Sequence, residues 1–375
     1  MKIVIVSPAY PLRGGIAHSA GLLYKELAKN HEVFLITFKR QYPNFLFPGK
    51  SQIESGEAID KIESEVILDS INPFNWSRTA NRILDYNPDL VIFKHWLPFF
   101  GPCYGWIARK IKKKSYAKLI AVCHNIIPHE KRIGDKVLSK YFLKKMDYFI
   151  PLSDQVKNDL FLFVKNPLYK LLPLPVFSLF GDSVDKDEAK KFLKLTDEKI
   201  LLFFGFIRDY KGLDVLIEAF SIVRKSMDVK LIVAGEFYEP EEKYIKLIEK
   251  HKLEEAIILK KDFIPTTEVK YYFSASDAVV LPYKSATQSG IVQVAVNFCM
   301  PVIATNVGGI GEVIENGKTG FVVEKENPEK LAQAIIRFYE EGKEREFSLN
   351  MKSLKETYSW QNFVKGMFEL INSKN

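Results

Sequence analysis

The chain has 375 residues, 47% of them hydrophobic and 27% charged, with a formal net charge of +8. This length is too great for one ordinary core and predicts two domains of a soluble globular protein. The three cysteines, Cys103, Cys123 and Cys299, are odd in number and widely spaced, which excludes a disulfide framework or a zinc site and favours a cytoplasmic protein. No aromatic-interleaved RNA motif or zinc-finger spacing is present, so we expect no nucleic-acid partner.

The first ten residues, MKIVIVSPAY, predict a first strand rather than a signal peptide. Short apolar runs recur along the first half and again after residue 195, separated by helical patterns. Such runs predict parallel strands covered on both faces. The predicted strands are 2–6, 32–37, 90–93, 119–123 and 148–152, followed by 200–204, 229–234, 256–259, 278–282 and 301–305.

Each half begins with a strand, a glycine turn and a helix, as in KIVIVSPAYPLRGG and KILLFFGFIRDYKG. The segment 170–192 between them is rich in proline and then in charge, which is typical of a linker. The sequence therefore predicts an α/β protein of two Rossmann-like, doubly wound parallel-sheet domains facing a cleft, with ligands at the carboxyl ends of the strands.

The densest basic cluster is RKIKKK at 109–114. It has two interpretations: an ordinary solvated helix face, or a surface that docks to an anionic membrane. Under the second, the protein would sit peripherally at the inner face of the membrane. The most apolar window, 160–177, is interrupted by lysines and prolines and does not predict a membrane span.

The stretch FFGFIRDYKG places two cations, Arg208 and Lys211, between Gly205 and the start of a predicted helix. A helix start offers unpaired N–H groups, arginine grips phosphate oxygens bidentately, and lysine adds a point charge. The alternative is a solvent-exposed loop with incidental charges. In the first half, Gly14 and Gly15 form the corresponding turn, which matches neither a dinucleotide fingerprint nor a P-loop.

A third region, SATQSG at 285–290, ends in small polar residues before an apolar helix and predicts a helix cap and another anion site. The NVGGIGE turn follows a strand and places Glu312 behind its glycines. The sequences around these four turns, at 14–15, 205–211, 285–290 and in NVGGIGE, together resemble those of glycosyltransferase family 4. Its members are the retaining nucleotide-sugar glycosyltransferases of GT-B fold. The carrying motifs are GFIRDYKGLDVLIEAF, SASDAVVLPY, PVIATNVGGIGEVIENGKTGFVV and the early GGI.

The resemblance implies an acceptor domain at 1–172, completed by a helix at 359–375 that crosses back, and a donor domain at 173–358. Arg208 and Lys211 match the cationic pair that holds the donor diphosphate, although the arginine that often follows the first glycine is Phe206 here. His124 matches a histidine near the donor sugar, with a locally satisfied structural histidine as the alternative. His95 and His18 are expected on the acceptor side.

The family usually shows two glutamates eight positions apart, and both are absent. Their places fall on Thr287 and on Ala295 or Val294, so SATQSG marks a variant branch in which nearby amides and hydroxyls are the remaining polar groups. Base recognition is expected from backbone around 260–265. The expected donor-binding residues are Gly14, Gly15, Gly205, Ile264, Thr287, Gln288, Ser289, Gly290, Gln293 and Glu312.

The predicted function is transfer of a sugar, with retention, from a nucleotide-diphosphate sugar to a glycan or lipid-linked acceptor. Arg208, Lys211 and His124 are the expected catalytic residues. No cofactor or metal is expected, because two cations already neutralise the diphosphate; the DKD at 185–187 lies in the linker and does not predict a metal site. Two alternatives stay open: a non-catalytic nucleotide-sugar-binding module, and a nucleotide-sugar epimerase on the same scaffold.

Overall fold

The computed structural model describes residues 1–43, 51–53, 62–128 and 132–373. The chain divides into two compact units, one of Met1–Pro175 with Tyr358–Asn375 and the other of Val176–Thr357. The sequence places the boundaries between 172 and 173 and at 358. None of the helices in the described ranges has the length and apolar character that crossing a bilayer requires.

The amino-terminal unit is a six-stranded sheet with helices on both faces. Its strands are β1 (Lys2–Val6), β2 (Glu32–Arg40), β3 (Glu65–Asp69), β4 (Leu90–His95), β5 (Lys118–Cys123) and β6 (Tyr148–Pro151). Its helices are α1 (Gly15–Ala28), α2 (Pro73–Asp85), α3 (Gly101–Lys114), α4 (Asp135–Leu143), α5 (Asp154–Phe161) and, at the end of the chain, α14 (Trp360–Asn372).

All neighbouring strands of this sheet are parallel, in the order β3-β2-β1-β4-β5-β6. Side chains of α2 to α5 share one core cluster with one face of the sheet. Helix α14 packs against α1. The side chains of Lys118 and Lys170 bond to it: Lys118 Nζ donates to the Ile371 carbonyl over 3.0 Å, and Lys170 Nζ donates to the Glu369 carboxylate over 2.5 Å.

The carboxyl-terminal unit repeats this architecture. Its strands are β7 (Lys199–Phe204), β8 (Val229–Ala234), β9 (Ile257–Lys260), β10 (Ala278–Leu281), β11 (Val302–Thr305) and β12 (Gly320–Val323), all parallel in the order β12-β11-β10-β7-β8-β9. Its helices are α6 (Lys186–Phe192), α7 (Leu213–Ser226), α8 (Glu242–Lys250), α9 (Val269–Ala275), α10 (Gly290–Asn297), α11 (Ile310–Val313), α12 (Pro328–Glu340) and α13 (Glu344–Thr357).

Two parallel, doubly wound sheets confirm the fold class predicted from the apolar runs. The prediction of a linker through 192 is wrong in its second half, because residues there form α6. Asp185 caps this helix by accepting from the backbone N–H groups of Asp187 and Glu188. The Phe192 ring stacks on Tyr271 with 3.9 Å between ring centroids, which fixes the helix to the carboxyl-terminal unit.

Candidate active site

The turn after β7 depends on two glycines with left-handed backbone. Gly205 has φ of +101° and Gly212 has φ of +69°, values that side chains rarely allow. A Cβ on Gly212 would lie 2.0 Å from the Pro282 carbonyl oxygen, so no other residue fits at the start of α7. Between the two glycines, Asp209–Lys211 form a single 3-10 turn.

Backbone hydrogen bonds continue the pairing of β7 with β8 into this turn. The Gly205 N–H donates to the Ala234 carbonyl and the Ile207 N–H donates to the Glu236 carbonyl, each over 2.9 Å. The turn is therefore an extension of the sheet, and it holds Arg208 and Lys211 in place at the carboxyl edge of β7.

Lys211 is a buried cation, with 8% of its surface exposed. Its Nζ lies 5.7 Å from the centroid of the Tyr283 ring, and it would lie 3.2 Å from a Cβ on Gly205. Burial, together with the charge of Arg208, lowers the pKa of Lys211 to about 7. Glycine at 205 leaves room for this ammonium beneath the turn.

Among the described residues, no carboxylate lies within 4.0 Å of a charged nitrogen of Arg208 or Lys211. The carboxylate between them, Asp209, instead pairs with Lys243 at 2.6 Å and Lys284 at 3.2 Å. The Arg208 guanidinium lies 4.9 Å from the centroid of the Tyr238 ring. The two cations of this turn therefore keep positive charge that an anionic ligand would neutralise.

The SATQSG segment lies at the start of α10, after β10. Thr287 is buried, and its carbonyl accepts the Gly309 N–H over 2.9 Å, which joins this segment to the NVGGIGE turn. Ser289 occupies the N-cap position but makes no capping hydrogen bond, so the predicted side-chain cap is wrong. Its hydroxyl is buried and has no hydrogen-bond partner among the described residues.

Gly290 and Gln293 lie on the first turns of α10. A Cβ on Gly290 would lie 3.1 Å from Cε2 of Phe177. Gln293 is 2% exposed, and its Oε1 has no hydrogen-bond partner among the described residues. A buried amide oxygen without a partner is costly, and a ligand hydroxyl would satisfy it. Gln288 lies beside Thr287 in the preceding loop.

The two remaining donor-site predictions lie after other strands of the same sheet. Ile264 is buried in the segment that follows β9. Glu312 is exposed in α11, the short helix that follows β11. Because all strands here are parallel, both segments follow the carboxyl edge that also bears Arg208.

In the amino-terminal unit, Gly14 and Gly15 form the turn before α1. Gly14 has φ of +113° and is the N-cap, and no atom lies within 4 Å of a Cβ built there. Backbone conformation, not crowding, therefore demands glycine. The His18 N–H donates to the Gly14 carbonyl over 3.1 Å, which places this half-exposed histidine in the first turn of α1.

His95 is the last residue of β4, and His124 follows the neighbouring strand β5. The His124 N–H donates to the His95 carbonyl over 2.8 Å. Both are buried; burial lowers the pKa of His95 to about 3, and burial with the charges of Lys94 and His95 lowers the pKa of His124 well below its usual value. The His95 ring packs on Phe142, with centroids 5.0 Å apart. Both imidazoles are therefore neutral at pH 7, and their ligand contacts stay predictions.

Lys94 is a second buried cation, one that the sequence reasoning missed. Only 1% of it is exposed, its Nζ donates to Ser19 Oγ on α1, and it lies 5.9 Å from the centroid of the Trp360 ring on α14. Burial lowers its pKa to about 7. The sequence pattern that indicates this buried cation is a single charge inside the apolar run LVIFKH.

Residues 184–352 match the family model described as "Glycosyl transferases group 1". An uncharacterized glycosyltransferase of Methanocaldococcus jannaschii is 26% identical over 376 residues, covering 98% of this chain and 97% of that protein. A D-inositol 3-phosphate glycosyltransferase of Paenarthrobacter aurescens is 28% identical over 170 residues, covering 43% of this chain and 40% of that protein.

Solved structures resemble the whole chain. Sucrose-phosphate synthase from Thermosynechococcus elongatus has a TM-score of 0.76 at 17% identity, covering 99% of this chain and 98% of its own. Anabaena HepE in complex with UDP has a TM-score of 0.76 at 16% identity, covering 100% of both chains. This likeness establishes the GT-B fold. The family match over 184–352 and the Methanocaldococcus jannaschii relative, which spans nearly the whole chain, indicate a glycosyltransferase.

Proposed function

We propose that this protein transfers a sugar, with retention of anomeric configuration, from a nucleoside-diphosphate sugar to a hydroxyl of a glycan or lipid-linked acceptor. We assign it to the variant branch of glycosyltransferase family 4 that carries SATQSG. The observation that carries the proposal is the pair of cations after β7, Arg208 and Lys211, without a carboxylate partner in the described ranges.

The donor diphosphate would bind at this turn of the carboxyl-terminal unit. Arg208 supplies a bidentate donor for phosphate oxygens, and Lys211 supplies a point charge from a buried position. A bound dianion would raise the pKa of Lys211 and hold the ammonium charged. Anabaena HepE has been solved with UDP and with UDP-glucose, which supports a nucleotide-sugar donor here.

The donor sugar and nucleoside would be held by groups around α10. The buried Oε1 of Gln293 accepts a hydrogen bond from a donor hydroxyl, in place of the charge-assisted bonds that glutamates would make. Gln288, Thr287 and Ser289 are the neighbouring polar groups. Backbone near Ile264 would contact the base. Gly14 and Gly15, in the turn before α1, stay proposed donor-binding residues.

The chemical step replaces one bond at the anomeric carbon. The acceptor oxygen forms a bond to this carbon, the bond from the carbon to the diphosphate oxygen breaks, and the acceptor proton passes to the departing phosphate. Negative charge grows on the leaving diphosphate, and Arg208 and Lys211 stabilise it from fixed positions. Removing one well-placed donor of this kind typically costs about 10²–10³ in rate.

The buried histidines suit recognition rather than proton transfer. With its pKa lowered by burial, neutral His124 can donate or accept one hydrogen bond with a substrate hydroxyl without competing for the acceptor proton. We place the acceptor on the amino-terminal unit, near His18 and His95. With two cations at the diphosphate, the proposal needs no metal ion.

Calorimetric titration with UDP, GDP and ADP tests the donor site. Wild type should bind one nucleotide best, and Arg208→Ala should weaken that binding about 10–100-fold, the loss typical of a charge-assisted bond. Arg224→Ala is the matched control, because Arg224 lies on α7 of the same unit and pairs with Asp228. If both variants bound the nucleotide as tightly as wild type, the diphosphate would not bind at this turn.

A further inference from the structure

Two sequence features take no part in the proposed donor binding and lie at one edge of the amino-terminal unit. The basic cluster RKIKKK forms the end of α3, three residues before β5 begins at Lys118. The apolar segment that starts at residue 160 forms the end of α5 and the loop after it. A cavity of about 620 Å³ is lined by both, including Lys112, Tyr116, Lys118, Val164, Pro167 and Leu168.

Large apolar side chains are exposed around this cavity. Tyr116 is fully exposed, Leu162 is 72% exposed and Phe161 is 50% exposed. The Phe161 ring contacts Tyr169 edge-on, with centroids 5.4 Å apart, and Tyr169 follows Leu168 at the cavity wall. Single exposed apolar residues are ordinary, but several large ones near one cavity indicate an interaction surface.

The same edge carries positive charge that the protein does not neutralise. Lys113, Lys114 and Lys165 have no carboxylate within ion-pair distance in the part of the chain that the structure describes. By contrast, Lys112 pairs with Asp147 at 2.5 Å, so its charge is already neutralised within the protein. Flexible lysines next to exposed tyrosine and leucine match a lipid interface, where apolar groups enter the headgroup region and ammonium groups meet phosphates.

We propose that this lysine–aromatic edge, formed by Lys113, Lys114, Tyr116, Phe161, Leu162 and Leu168, docks the protein onto an anionic lipid bilayer. Charge complementarity favours an anionic bilayer as the partner. Each lysine near an anionic surface adds electrostatic attraction, and the exposed apolar side chains insert into the headgroup region. The docking does not require the donor site, so it goes beyond the proposed function and can be tested without a nucleotide sugar.

The edge lies at the amino ends of β5 and β6, whereas His95 and His124 follow the carboxyl ends. The six residues of β5 separate the two ends by about 20 Å. If the proposed function is correct, a docked enzyme would act on an acceptor hydroxyl at about that height above the headgroups. A glycan carried on a lipid would present such a hydroxyl.

Vesicle flotation of the full chain tests the docking. The vesicles are phosphatidylcholine alone or phosphatidylcholine with phosphatidylglycerol, at low and at physiological salt. Wild type should float only with the anionic vesicles, and more at low salt. Lys113→Gln with Lys114→Gln should lower the partition coefficient roughly thirty-fold, and Leu162→Ser roughly ten-fold.

The matched controls lie in the carboxyl-terminal unit. Lys246→Gln with Lys250→Gln removes the same charge from exposed positions of α8, and Leu349→Ser removes an apolar side chain that is 52% exposed. Both controls should float like wild type. Circular dichroism and thermal unfolding verify that each variant is folded.

Three results would overturn the docking. The first is wild type that fails to bind anionic vesicles at low salt. The second is equal loss in the edge and control variants, which would mean that net charge alone acts. The third is a wild type that self-associates through this edge, detected as a change of oligomeric state in the edge variants, since the occupant would then be a second copy. None of these results would affect nucleotide binding at Arg208, so failure of the docking is distinguishable from failure of the proposed function.

Discussion

The buried lysine of the cationic turn gives a pH dependence that can be worked out from the structure. In the free protein, burial and Arg208 lower the pKa of Lys211 to about 7, so its charge is lost above neutral pH. A bound diphosphate needs that charge and raises the pKa. Affinity should therefore be full below about pH 7 and fall as the pH rises, by up to ten-fold per pH unit, or about 1.36 kcal/mol.

The assay is calorimetric titration of the preferred nucleoside diphosphate between about pH 7 and pH 9.5, where the terminal phosphate stays a dianion because its second pKa is near 6. In Lys211→Met the slope should vanish, and affinity at pH 7 should fall about 10–100-fold. Lys243→Met is the control: Lys243 pairs with Asp209 beside the turn, so its loss should keep the slope. A wild-type affinity that is flat across this range, or a slope retained in Lys211→Met, would refute the reasoning.

Two further predictions follow from single contacts. Gly205→Ala places a Cβ 3.2 Å from Lys211 Nζ at a φ of +101°, so nucleotide affinity should fall about ten-fold with a stability loss of about 1–3 kcal/mol; Gly342→Ala, with φ of +61° and open space, should lose stability alone. Lys94→Met removes a buried cation whose pKa in the folded protein, about 7, is below its value in the unfolded chain. Because folded wild type loses this proton at a lower pH than the unfolded chain, its free energy of unfolding should rise from pH 7 toward 10. The variant should gain about 1–4 kcal/mol in denaturant unfolding at pH 7, and this gain should shrink at higher pH; a less stable variant at pH 7 would contradict this account.

Local pattern predicted most of the fold, because each apolar run is long enough to mark a buried strand. It missed β3 and β12 for identifiable reasons. The β3 run, EVILD, has charges at both ends and only three apolar residues between them, and β12 begins with Gly320 after a turn. The helix α6 was missed because its charged residues show no periodicity; the Asp185 cap and the packing of Phe192 on Tyr271 hold it.

At the site, the sequence predicted the cationic turn because glycine, arginine and lysine stand close together in the chain. It could not predict that Lys211 is buried or that Asp209 is neutralised, since Lys243 and Lys284 come from distant segments. Lys94 was missed for the same reason: its surroundings are Ser19 on α1 and Trp360 on α14. The cap predicted from SATQSG did not form: Ser289 occupies the N-cap position, but its buried hydroxyl has no hydrogen-bond partner among the described residues.

Release of nucleoside diphosphate from a panel of UDP-, GDP- and ADP-sugars, with and without glycan and lipid-linked acceptors, tests the central claim most directly. Wild type should release the nucleotide from one donor class, and Arg208→Ala should lower that rate about 10²–10³-fold while Arg224→Ala does not. Tight nucleotide binding without release from any donor, or equal rates in Arg208→Ala and wild type, would contradict a catalytic role for the cationic turn.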